Sequence, residues 1–239
     1  MFDFLAIHDF FNREGPSYAF KLDHILFIVI SLWAFAVLVT FTYYVALYIL
    51  TIKMPTEHPF ALDQMLPFHS CFMFMYVFPF AIFSKNKTIK VMASNFLVVI
   101  NMIIGFITLF VGCPPVGYST FSFPGLQSLI LHVIIVIVPL IMIATKYYDI
   151  KANDLKYGLG LFVLLSAFMW TFDAFTGCDY FYFYDGHTFP VLKVISENVH
   201  HLVWTLIVVS CYVITGIAIH YLVIGIKYLI NKKKGNQHE

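Results

Sequence analysis

Residues Ile25–Ile52 read ILFIVISLWAFAVLVTFTYYVALYILTI, 28 residues without a formal charge. A helix needs about 20 mostly apolar residues to cross a bilayer, so this stretch is long enough to cross with tilt or to extend past the hydrocarbon. Five further stretches qualify: Leu62–Phe83, Val91–Val111, Leu126–Thr145, Tyr157–Phe175 and Val199–Ile226. None alternates with period two, which sets them apart from barrel strands. The whole chain agrees. Of its 239 residues 61% are hydrophobic and 11% charged, with a mean hydropathy of +0.85, against about 25% charged in a soluble domain. Even a globule of about 300 residues buries only about 75% of its unfolded surface. The expected fold is an all-α membrane protein, a six-span helical bundle forming one polytopic domain over residues 1–239.

The few cations set an orientation, because Lys and Arg favour the cytoplasmic side. Arg13 and Lys21, then Lys85, Lys87 and Lys90, then Lys146, Lys151 and Lys156, then Lys227, Lys232, Lys233 and Lys234 all fall on one side. Lys53 and Lys193 fall on the other, a division of twelve to two. Six spans then place both termini in the cytoplasm. The near-neutral net charge of +1 excludes a nucleic-acid partner, which needs a concentrated basic surface. Met1–Phe20 lacks the basic start, apolar run and cleavage site of a signal peptide. Phe2, Leu5, Ala6, Phe10 and Phe11 fit a short interfacial helix, and a solvated leader fits nearly as well. No internal repeat or Gly-rich phosphate loop is present. In the longest loop, Thr176–Asn198, the run Tyr180–Tyr184 (YFYFY) reads as an interfacial aromatic belt, or alternatively as the wall of a lipid-facing entrance.

Polar side chains inside the spans are informative because hydrocarbon penalises them. The second span carries His69, Ser70 and Cys71, and the fourth Gln127 and His132. The fifth carries Asp173 near its end, and the sixth begins with Asn198, His200 and His201. All lie in the half of the bilayer away from the lysines, which points to a site open to the outer leaflet. Each residue has a plain structural explanation: a buried cysteine as apolar filler, an intramembrane histidine bonded to a carbonyl, Asp173 as a helix-end cap. Their occurrence at one depth is what no single packing role accounts for.

Pro67 favours a helix first turn. A helix beginning there places Cys71 near its N-terminus, where the dipole lowers a thiol pKa. His69 and Cys71 are two apart and point to different faces, so a base for Cys71 comes from another span, and His132 is the choice. That pairing gives a nucleophile and base. The third loop, Gly112–Gly125, is uncharged and rich in helix breakers; it fits a re-entrant loop or an exposed turn equally well. Cys113 and Cys178 share the external side, as a disulfide or as two free thiols, and Cys211 reads as structural.

At these residues the chain resembles a known group. The run Met65–Phe83 (MLPFHSCFMFMYVFPFAIF) is similar to the LPxHxC-then-proline signature of YwaF-like bacterial integral membrane proteins, related to the transmembrane protein 164 family. Tyr118–Leu140 resembles that group's aromatic loop and LQ...H helix. Phe68 and Ser70 stand where leucines are common. The resemblance implies a multi-pass protein of the bacterial cell membrane. Animal members act as lipid acyltransferases with a membrane-embedded cysteine nucleophile and a histidine base on another helix. By motif these are Cys71 and His132, and His69 matches the histidine beside the nucleophile.

Three functions follow for weighing. The first is thiol-dependent acyl transfer or ester hydrolysis on a membrane lipid, with Cys71 and His132 catalytic. His69, Ser70, Gln127, Asp173, His200 and His201 line the site, and no metal or other cofactor is needed. The second is a non-catalytic small-molecule-binding subunit of a transporter. The third is a metal-dependent lipid hydrolase using His69, His132 and His200 or His201 with Asp173 or Glu197, although no HExxH spacing appears.

Overall fold

A computed structural model describes residues 17–53, 67–111, 121–181, 183 and 190–235. The described chain is helical. Helix α1 is Ser17–Lys53, α2 is Met73–Phe83, α3 is Lys87–Phe96, α4 is Met102–Val111, α5 is Phe123–Ala144, α6 is Leu155–Thr176, α7 is Pro190–Asn198 and α8 is His201–Gly235. A 3₁₀ turn, Ser70–Phe72, leads into α2, and a π-helical segment, Leu97–Asn101, joins α3 to α4. Five helices among the described residues are long and apolar enough to cross a membrane: within α1, across α3 to α4, and α5, α6 and α8. The second expected span is shorter than anticipated, since its described apolar helix runs only Ser70–Phe83. The interfacial leader, most of the third loop and Cys113 fall outside the described residues.

The continuous rod of α3, the π segment and α4 is the centre of the bundle. Some 72% of its membrane-length window is buried, against 17% for those of α1 and α8. The π segment touches α2, α5, α6 and α8, and all five of its residues are buried. Small residues let neighbours approach. A Cβ at Gly158 of α6 would lie 2.1 Å from Asn95 Oδ1, and one at Gly105 of α4 would lie 2.8 Å from Val136 on α5. Without a hydrophobic force between helices in lipid, such close backbone approach supplies the packing.

Helix ends follow the sequence. Asn86 caps α3 by accepting from the Thr88 and Ile89 N–H groups. The Ser122 hydroxyl accepts from Gly125 N–H at the start of α5, and Gly177, at φ 71°, closes α6 in the left-handed conformation that glycine adopts without penalty. Pro79 inside α2 leaves the carbonyl four residues earlier without its helical donor. That carbonyl belongs to Met75, and the Trp33 indole N–H of α1 donates to it at 3.1 Å. An orphaned group in hydrocarbon is costly, so the Trp33–Pro79 combination both satisfies α2 and fixes it to α1.

The lysine-bearing loops converge at one end of the bundle. Lys90 lies over the Tyr147 ring at 4.8 Å, and Lys227 near the end of α8 pairs with Asp149. Lys227 draws the Asp149 carboxyl below the usual carboxylate range through its hydrogen bond and charge.

Candidate functional site

The site begins with a turn that starts later than Pro67. Pro67 and Phe68 are non-helical, His69 occupies the N-cap position at φ −55° and ψ 151°, and helical geometry starts at Ser70. Pro67 is therefore not the first helical residue, yet Cys71 still lies in the first turn. Its side chain is half-buried. The His69 carbonyl accepts the Phe72 N–H at 2.8 Å, and the turn rests against α4 and α5.

His132 is 5% exposed on α5. Its Nδ1 lies 2.7 Å from the Ser128 carbonyl oxygen. A carbonyl only accepts, so the neutral ring carries its hydrogen on Nδ1 and keeps the Nε2 lone pair, the tautomer a general base requires. Gly105 on α4 sits directly over this position; a Cβ there would come within 3.2 Å of the His132 carbonyl oxygen. Cys71 and His132 each stand twelve residues before the lysine-end terminus of their helix, a height of about 18 Å for both. The two elements that carry them touch.

His69 shows the same polarity. Its Nδ1 is 3.2 Å from the Tyr180 carbonyl oxygen, which again leaves Nε2 as the acceptor in the neutral ring. The Tyr180 N–H in turn donates to Asp173 Oδ2 at 3.1 Å. The Tyr180 peptide thus links Asp173 to His69, and the Tyr180 ring packs edge-on against His69 and Phe68 at 5.2 and 5.7 Å. Tyr180, Phe181 and Phe183 are buried, so these members of the aromatic run are not an interfacial belt. Their loop turns inward because Asp173 holds it at one point and the Thr205 hydroxyl, donating to the Phe183 carbonyl at 2.9 Å, holds it at another.

The other expected residues are distributed less tightly. Ser70 is buried beside Cys71, and the Tyr212 hydroxyl of α8 reaches its side chain. Gln127 is buried but donates to the Thr40 hydroxyl at 3.0 Å, bracing α5 against α1. His200 and His201 are exposed at the head of α8 with rings 4.3 Å apart. Among the described residues no three His, Cys, Asp or Glu side chains come together in a way that could hold a metal ion. Cys178 is a buried free thiol, and Cys211 is exposed rather than packed in the core.

Sequence reasoning missed Asn101. It is the last residue of the π segment, fully buried, and its Nδ2 donates to the Ser70 carbonyl oxygen at 3.3 Å. Its Oδ1 has no hydrogen-bond partner among the described residues. Such an orphan costs about 1–3 kcal/mol, while one hydrogen bond returns about 1 kcal/mol. The signal was available as an amide in the middle of an apolar run. Tyr44 and Tyr212, also missed, both lie in the neighbourhood of Cys71.

The expectation that membrane-depth polarity gathers only away from the lysines is also corrected. Near the lysine-rich end, Asn95 donates through Nδ2 to the Tyr148 hydroxyl at 3.1 Å and meets His220 Nδ1 at 3.2 Å. Tyr148 donates to Asp154 Oδ2 at 2.9 Å, which also accepts the Lys151 N–H at 3.0 Å. Asn95, Asp154 and His220 are buried.

The family model described as the TMEM164 family matches residues 17–224, a range that contains Cys71, Asn101 and His132. No curated protein and no solved structure matches the chain. The match spans most of the 239 residues, and with the apolar helices it makes the chain a multi-pass membrane protein of the TMEM164 family.

Proposed function

We propose that the protein is a thiol-dependent acyltransferase or esterase acting on a membrane lipid, with Cys71 as nucleophile and His132 as base. The observation that carries this reading is the contact between the turn bearing Cys71 and the helix bearing His132, with Nδ1 of His132 turned to the Ser128 carbonyl so that Nε2 is the basic nitrogen of the neutral ring. In the first half-reaction the Cys71 proton passes to His132 Nε2 and the thiolate attacks the ester carbonyl. The ester C–O bond then breaks, the leaving alcohol takes the proton from His132, and the acyl group remains on sulfur as a thioester. In the second half-reaction an acceptor hydroxyl, or water, gives its proton to His132 and attacks the thioester. The C–S bond breaks and the proton returns to Cys71. His69, held by Tyr180, and the amide-rich turn around Ser70 line the reacting centre.

The lysine distribution supports six crossings with both termini cytoplasmic and the site in the outer half of a bacterial cell membrane. The test is labelling of the purified protein in bilayer discs with an alkyne-tagged acyl phospholipid. Cys71→Ala is expected to abolish covalent labelling. Unchanged labelling in that variant contradicts the assignment of Cys71.

A further inference from the structure

The buried amide of Asn101 has no stability argument in its favour. It is wholly inaccessible, makes one long hydrogen bond, and leaves its Oδ1 without a partner among the described residues. A leucine of similar volume removes the orphan and fills the same space, and replacement of buried polar groups by apolar ones of like shape is often neutral or stabilising. What the amide does hold is the Ser70 carbonyl, one half of the peptide group whose N–H belongs to Cys71. That carbonyl also accepts the Met73 N–H inside the helical turn, so Asn101 adds a second, lateral restraint on the same oxygen. The restraint comes from a π-helical segment, and π-helical insertions in helices concentrate at functional sites. The segment is also the most enclosed part of the bundle and touches α2, α5, α6 and α8, which makes it a rigid mount.

We propose that Asn101 is a positioning residue for the nucleophile: its amide fixes the plane of the Ser70–Cys71 peptide, and with it the direction of the Cys71 side chain and N–H. The proposal rests on the reading of Cys71 as the nucleophile. Asn101 touches neither the substrate nor the sulfur in this account; it acts through the Ser70 carbonyl. A thiolate gains from the positive end of its own peptide dipole and from the first turn of the helix. Release of the Ser70 carbonyl lets that peptide tilt, and the thiol becomes both less acidic and misaimed.

The experiment compares wild type, Asn101→Leu and Asn101→Ser in bilayer discs, all in a background with Cys113, Cys178 and Cys211 replaced by Ser or Ala. Three quantities are read: thermal stability, the pH dependence of Cys71 alkylation by iodoacetamide, and kcat and KM for acyl transfer from a defined phospholipid. Asn101→Leu is expected to melt at or above the wild-type temperature, with the alkylation midpoint moved to higher pH. A misplaced reacting group costs about a hundredfold, and the loss should fall in kcat with KM little changed. Asn101→Ser, which retains a donor on a shorter arm, is expected to lie between the two. A folded leucine or serine variant with wild-type alkylation and wild-type kcat overturns the proposal. Failure of both variants to fold assigns Asn101 to structure alone and also overturns it. If Cys71→Ala retains acyl transfer, the proposed function fails, whereas the alkylation profile still reads the coupling of Asn101 to Cys71.

Discussion

The central rod of the bundle carries two buried asparagines, and their surroundings differ. Asn95, toward the lysine-rich end, spends both amide hydrogens in a directed chain. One goes to the Tyr148 hydroxyl, which itself donates to Asp154, and the other meets His220 Nδ1. Burial, reinforced by the Asp154 carboxylate, pushes the Tyr148 hydroxyl well above its ordinary range, so it remains a donor throughout the accessible pH range. The chain ties α3 and α8 to the residues between α5 and α6. Asn101, about 9 Å further along the rod at 1.5 Å per residue, makes a single bond to a backbone carbonyl beside a half-exposed cysteine. Near it, His132 and His69 each commit Nδ1 to a carbonyl and keep Nε2 as an acceptor. Buried polarity alone therefore does not mark a site. Both asparagines leave Oδ1 without a partner among the described residues, so what separates them is where their donors go: Asn95 joins side chains of three segments and holds helices together, whereas Asn101 grips the backbone next to Cys71.

This contrast can be broken from either side. The largest expected effect is on the cysteine side. His132→Gln should lower kcat for acyl transfer by about 10²- to 10⁴-fold, the usual contribution of a general base, with the melting temperature little changed. A folded variant with wild-type kcat would remove His132 from the mechanism. Next comes Gly158→Ala, whose added carbon would sit 2.1 Å from Asn95 Oδ1. Overpacking of this kind costs about 1–3 kcal/mol, so a lower melting temperature is expected together with unchanged activity per folded molecule. Tyr148→Phe should act in the same direction by about 1 kcal/mol, since it removes the donor to Asp154 and the acceptor for Asn95. Loss of catalysis in folded Tyr148→Phe would show that the two regions are not separate in role.

The smallest effect belongs to the surface pair of Asp149 and Lys227. Its carboxyl is held below the ordinary value, so any stabilisation is present above the ordinary aspartate pKa and is lost as pH falls through the lower folded value. An exposed pair contributes at most about 1 kcal/mol. Asp149→Asn should therefore shift the melting temperature slightly at neutral pH and not at all in strong acid, as thermal melts across pH would record.

The spans were legible in the sequence because hydrocarbon demands long apolar runs, and four of the five long helices lie within a few residues of the expected limits in Val91–Val111, Leu126–Thr145, Tyr157–Phe175 and Val199–Ile226. The second starts later than its apolar pattern suggests, because Pro67 and Phe68 are non-helical and His69 takes the N-cap position. The place of Cys71 in a first helical turn was readable from spacing. The inward placement of Tyr180, Phe181 and Phe183 was not, because an aromatic run has the same composition in a belt and in a core; the Asp173 and Thr205 bonds decide between them. Asn95 and His220 each lie in a mostly apolar run with no neighbouring motif to mark them. Long-range pairs such as Asn95 with Tyr148 and His220 have no sequence periodicity to reveal them.

The most direct test of the account is the intact mass of the purified protein after incubation with a phospholipid of defined acyl chain. The account predicts one acyl addition that hydroxylamine removes, located on Cys71 by peptide mapping, absent in Cys71→Ala and formed far more slowly in His132→Gln. An acyl adduct resistant to hydroxylamine, or one that persists in Cys71→Ala, would contradict a thioester mechanism at this site.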